Sequence, residues 1–214
     1  LATRNTPAFR PASMVLYGAV EPTLLAAAEQ LLDGTGDDPP RGAAIAADEV
    51  ASHAKALIQR YRALDQRFAA TVELRSDVSG LMVSRGKLMV GRDSAMPAHR
   101  VNALLAHEVS VHLLTYFNGS TQGLEIFATG LAGYEGVQEG LGVFAEWVVG
   151  GLTRTRLRLL AARVVAVDAM IDGGDFIDVF RLLRGDHDFS PRTAFLIAAR
   201  VFRGGGFAKD AIYL

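Results

Sequence analysis

The sequence predicts an α+β fold, mostly helical, with one small antiparallel sheet beside a long central helix. Three observations predict it. Ala70-Thr71-Val72-Glu73-Leu74 alternates as a half-buried strand does, and two short apolar runs, Leu81–Val83 and Lys87–Val90, flank the turn residues Ser84-Arg85-Gly86. From Pro97, the apolar positions Val101, Leu104, Leu105, Val109 and Leu113 recur at the spacing of one helix face. Beyond residue 120 the remaining apolar stretches carry the same helical period.

The elements follow in order. Thr6-Pro7 to Pro11 reads as extended, and Met14-Val15-Leu16-Tyr17 as a short strand. Glu21-Pro22 opens a helix, because proline is tolerated in a first turn, where its missing N–H costs nothing. The cluster Gly34-Thr35-Gly36-Asp37-Asp38-Pro39-Pro40 predicts an exposed loop. A second helix is expected from about Ala43 to Leu64, through Val50, Ala54, Leu57, Ile58 and Tyr61. The hairpin sheet follows, then the long helix from Pro97, which Asn118-Gly119 should stop in a left-handed turn. Further helices are expected at about 124–132, 136–151, 153–171, 174–184 and 191–202. We read residues 1–214 as a single domain, with N-terminal helices and the small sheet in 1–94 and a helical lobe in 95–214.

Composition narrows the chemistry. The formal net charge of −1, from 22 basic and 23 acidic residues, argues against a broad nucleic-acid surface. There is no cysteine, so any metal must be held by His, Asp or Glu. No run of about twenty apolar residues suggests a membrane span, and the expectation is a cytoplasmic protein with no membrane partner.

The informative run is His107-Glu108-Val109-Ser110-Val111-His112. Its histidines are i and i+5, one residue further apart than in the common zinc-protease helix. On a regular helix that separates them by roughly 140° of rotation. Two nitrogens on one tetrahedral zinc should lie only about 3.3 Å apart. A shared metal therefore requires a local π-bulge between Glu108 and His112, and Ser110 is a suitable place for it. Glu108, directly after the first histidine, can take a proton from a zinc-bound water and return it to a leaving amine. A catalytic zinc needs a third protein ligand. Glu125, Glu135, Glu139 and Glu146 are candidates; Glu139 is chosen because small residues, Gly140 and Gly142, let its helix approach closely. Glu135 or Glu146 would then orient a ligating histidine.

These stretches resemble the family of microtubule-associated tyrosine carboxypeptidases and their bacterial relatives, the flavohemoglobin expression-modulating QEGLA-motif proteins. The resemblance rests on HEVSVHLLTYFNG (107–119), GLAGYEGVQEGLGVFAEWVVGGL (130–152), RLRLLAARVVAVDAM (156–170) and RVFRGGGFAKDAIYL (200–214). It implies a zinc-peptidase-like fold with an HExxxH helix, Zn2+ bound by His107, His112 and Glu139, and Glu108 as catalytic base. It implies a metallocarboxypeptidase acting on a peptide or protein C-terminus, with tyrosine as the residue removed by eukaryotic members. The alternative is a regulatory zinc protein that keeps the fold without turnover. The family carries Gly where Ser110 stands and Ala where Gly142 stands, and its members are expected to extend beyond both ends of this chain.

Other residues complete the expectation. Arg203 first and Lys209 second are candidates to grip a substrate carboxylate, since a guanidinium fork matches that group. Tyr134 is a candidate donor to a developing oxyanion. Lys87–Val90 is a candidate edge strand for an extended peptide. His53, His99 and His187 read as surface or capping residues, and Arg154, Arg156, Arg158 and Arg163 as a solvated helix face.

Overall fold

Apolar side chains gather into two cores, and each core defines a unit of the chain. One unit comprises Leu1–Asp38 with Thr153–Leu214, the other Pro39–Leu152. The computed structural model describes residues 2–34, 36–39 and 42–214.

In the first unit, α1 (Phe9–Tyr17) and α2 (Pro22–Gly34) precede α8 (Arg154–Ile171), α9 (Phe176–Gly185) and α10 (Pro191–Phe202). The stretch read as extended, then strand, is the helix α1. Its inward residues are Ser13, Met14 and Tyr17, a helical and not an alternating spacing, and Ser13 Oγ accepts from the Ala208 amide at 2.8 Å. Pro11 sits in its first turn, where the ring does not break the helix. The breaker loop begins where α2 ends at Gly34; Thr35 and Pro40 lie outside the described residues. Helix α8 is the spine of this core: Leu160 through Val167 are largely buried, with α2, α9 and α10 packed around them. Its arginines are not all a solvated face. Arg158 is buried, donates to the His187 carbonyl at 2.9 Å and lies 4.8 Å over the Phe189 ring. Burial beside Arg200 and Arg156 pushes Arg163 down to about 10.

The second unit holds the strands. Residues Ala44–Ala46 (β1) pair with Ala95–Pro97 (β5), and α3 (Ala47–Leu64) fills the interval before a three-stranded sheet. That sheet has the order β2 (Thr71–Arg75), β4 (Lys87–Gly91), β3 (Leu81–Ser84). The β3–β4 hairpin closes through Arg85 and Gly86, both at positive φ, as a two-residue turn requires. The sheet is mixed and not wholly antiparallel, because β2 runs parallel to β4. Lys87–Val90 is therefore central, not an edge. The physical reason is visible in its burial: Leu88, Met89 and Val90 are all inside, which a strand manages only when flanked on both sides.

The expected long helix is present in three parts. Ala98–His107 (α4) is α-helical, Glu108–Leu113 is a π-helix, and Leu114–Ser120 (α5) resumes the α form. The Leu114 amide reaches back five residues to the Val109 carbonyl, the signature of the wider turn. The helix runs past Asn118-Gly119 to Ser120. Gly119 serves close packing there, since a Cβ would fall 1.9 Å from the Phe127 carbonyl oxygen of α6 (Glu125–Thr129). Helix α7 (Tyr134–Val148) then crosses α4.

Candidate metal centre

The π-helix solves the problem posed by the i, i+5 histidines. The extra residue is absorbed between Glu108 and Leu113, with Ser110 inside the widened turn, while Val109 and Leu113 remain fully buried. The core anchors are kept and the two imidazoles turn to one side, with ring centroids 4.9 Å apart. His107, Glu108 and His112 each offer a ligand atom within 4.8 Å of the other two.

Glu139 enters from α7. Its Oε2 lies 3.4 Å from His107 Nε2 and 3.5 Å from His112 Nε2. Both separations exceed the usual hydrogen-bond range of about 2.7–3.2 Å. They match the edge of a tetrahedron of zinc ligands, roughly 3.3–3.4 Å for bonds near 2.1 Å. Two imidazole nitrogens and one carboxylate oxygen are donors of the kind that a zinc ion accepts, so the residue types fit such an ion.

Close approach of α7 makes this possible. At Gly142 an added Cβ would sit 2.5 Å from His107 Cε1, so the imidazole lies flat on the bare backbone of α7. At Gly151 an added Cβ would sit 2.3 Å from the Ala103 Cβ. Gly140, the other small residue beside Glu139, faces open space.

Of the two carboxylates considered for a supporting place, Glu146 is the one that meets His107. It is completely buried, and its Oε1 lies 3.0 Å from His107 Nδ1. Its other oxygen accepts from the Arg100 guanidinium at 2.6 Å. Glu135 is half-buried at the start of α7, and Glu125 is exposed in α6. Arg100 carried no signal as an isolated residue in the sequence; its position seven residues before His107, on the same helix face, is what could have marked it.

The electrostatics follow from this crowding. Burial alone would push the His107 imidazolium down, but the adjacent carboxylates of Glu139 and Glu146, with the Glu108 charge, outweigh it and hold it up at about 9. Burial pushes the Glu108 carboxyl up, against the pull of His112 and His107. An imidazole pair set among carboxylates, at the meeting of a π-helix and a glycine-bearing helix, is a group that could hold a cation.

A family model described as microtubule-associated tyrosine carboxypeptidase matches residues 1–214. The chain belongs to the microtubule-associated tyrosine carboxypeptidase family. No curated protein and no solved structure matches it significantly. For this carboxypeptidase family member the substrate class is a peptide or protein, and its His-Glu-His group, with His107 buried and the other two half-buried, could hold a metal ion. No helix is long and apolar enough to cross a membrane among the described residues.

The remaining candidates fall in different places. Tyr134 begins α7, five residues before Glu139, with its ring against Gly130, where a Cβ would meet it at 2.4 Å. Arg203 and Lys209 belong to the other unit. Arg203 lies 3.7 Å from the buried Asp210 carboxylate and 4.8 Å over the Phe207 ring. His53 and His99 are exposed, and His187 is half-buried in the first unit.

Proposed function

We propose that the chain is a zinc-dependent metallocarboxypeptidase, with His107, His112 and Glu139 as ligands and Glu108 as general base. The single observation that carries this reading is the convergence of two histidine Nε2 atoms and one Glu139 oxygen at 3.4 and 3.5 Å. A zinc ion held there supplies a Lewis acid that acidifies water and polarises a peptide carbonyl.

The chain's own residues do the rest. Glu108 adjoins the first histidine and is shielded from bulk water, so its raised pKa brings it towards the neutral range in which a base works well. It takes the proton of the attacking water and delivers it to the departing amine. Tyr134 is the proposed hydrogen-bond donor to the oxyanion. Tyrosine, the residue in the family's description, is the proposed residue removed. The proposed setting is the cytoplasm.

The test has two parts. Purified protein should carry about one zinc per chain, lost in His107→Ala and Glu139→Ala. Glu108→Gln should keep the zinc and lose turnover of C-terminal peptides by about 10²–10⁴-fold, the usual contribution of a positioned acid–base group. A Glu108→Gln protein with unchanged turnover would favour a regulatory zinc protein instead. A peptide library varying the last residue tests the tyrosine preference, and Tyr134→Phe tests the proposed oxyanion contact.

A further inference from the structure

The metal ligands do not stand alone; a second chain of polar groups runs behind them. Helix α4 carries Arg100, Ala103 and His107 at i, i+3 and i+7, which places all three on one face. That face meets the C-terminal half of α7. Glu146 of α7 touches both ends of this row: Oε1 meets His107 Nδ1 at 3.0 Å and Oε2 meets Arg100 Nη2 at 2.6 Å. Arg100 Nη1 donates to the Gly151 carbonyl.

The Gly151 carbonyl is brought there by the way α7 ends. Gly150 adopts φ of 72° and its amide bonds the Trp147 carbonyl at 2.8 Å, while the Gly151 amide bonds the Glu146 carbonyl at 2.8 Å. These are the two bonds of a Schellman stop. It folds the chain back over Ala103, where only glycine fits. One guanidinium thus grips both the side chain of Glu146 and the terminus of the helix that carries it. A guanidinium suits this because its two outer nitrogens donate in one plane, which a lysine ammonium does not reproduce.

The consequence reaches the metal ligand. A carboxylate already paired with Arg100 is an acceptor, so His107 must donate from Nδ1. Its Nε2, turned towards Glu139, is then the ring nitrogen left for a metal once its proton is displaced. We infer that Arg100 is a positioning residue of the metal centre: by clamping Glu146 and the Gly151 carbonyl it fixes the ring orientation and tautomer of His107. This rests on the proposed zinc-site reading and goes beyond it, since Arg100 touches neither the ligand atoms nor any substrate.

The experiment uses the full chain with Zn2+ and with Co2+ as a spectroscopic probe. Arg100→Gln should weaken zinc binding at least tenfold in a chelator competition, as loss of a supporting contact to a ligand typically does. It should also change the Co2+ ligand-field absorption, which a purely structural role would leave alone. Arg100→Lys keeps the charge and loses the fork; it should recover less than half of the lost affinity on a logarithmic scale. A folded Arg100→Gln protein with zinc affinity within twofold of the parent and an unaltered Co2+ spectrum overturns the inference. Where Arg100→Gln does not fold, 15N NMR of the parent's zinc-loaded His107 decides: a protonated Nδ1 with metal on Nε2 supports the clamp, and any other tautomer overturns it. If the parent itself binds no zinc, the underlying reading fails, a result distinct from either of these.

Discussion

His107 is the most constrained side chain of the centre. Its ring has Glu146 behind it, Glu139 before it and the bare backbone of Gly142 against its face. Filling the last contact is informative. Gly142→Ala places a methyl inside the imidazole ring's contact distance, so the ring or the helix must shift. The expected cost is about 1–3 kcal/mol in thermal unfolding, as for overpacked cores, with weaker zinc binding measured in the same samples. The pH response follows from His107 as well. Its folded value of about 9 lies above the ordinary 6.5. In the metal-free chain the charged imidazole therefore adds stability that is complete below about 6.5 and is lost as pH rises through about 9. A metal must displace that proton, so zinc affinity should rise with pH across this window and level off above it. Calorimetric titration at pH 7 in buffers of different ionisation enthalpy should register about one proton released per zinc bound.

At the scale of the element, the π-helix is the device that matters. It is a local rewinding of one helix, and its cost is offset by the core anchors Val109 and Leu113 on either side of Ser110. Deleting Ser110 should restore a regular α-helix and leave the histidines i and i+4, the spacing at which an α-helix already presents both to one ion. The deletion variant should retain zinc, with affinity within about a hundredfold, and lose turnover as Glu108 is re-aimed. Circular dichroism and metal analysis check the first part and a peptidase assay the second. A deletion protein that folds and binds no metal would show that the widened turn is needed for more than register. The presence of the π-segment was legible in the sequence, because His107 and His112 could not otherwise meet. The helix α1 was not legible: Met14–Tyr17 alternates weakly, and its helical burial pattern appears only against the partners that cover it.

For the whole molecule, two separate apolar cores imply two cooperative units. The proposed zinc ligands all belong to the unit Pro39–Leu152. Binding should stabilise that unit by about 4 kcal/mol when free zinc is a thousandfold above its dissociation constant. Differential scanning calorimetry should then show two transitions, of which a chelator shifts one. A single transition that moves as a whole would mean that the two cores melt together.

The sequence by itself determined which donors a metal could meet: with no cysteine in the chain, His107, Glu108 and His112 carry the candidate group, because ligand type and spacing are local properties. Helix periods and the Arg85-Gly86 hairpin were local in the same way. What only the tertiary structure decided depends on which segments meet. The parallel pairing of β2 with β4, the centrality of Lys87–Val90 and the burial of Arg158 all follow from neighbours distant in the chain. So does the selection of Glu146 over Glu135, and with it the clamp at Arg100, since a guanidinium 46 positions from its carboxylate leaves no local trace of the pairing.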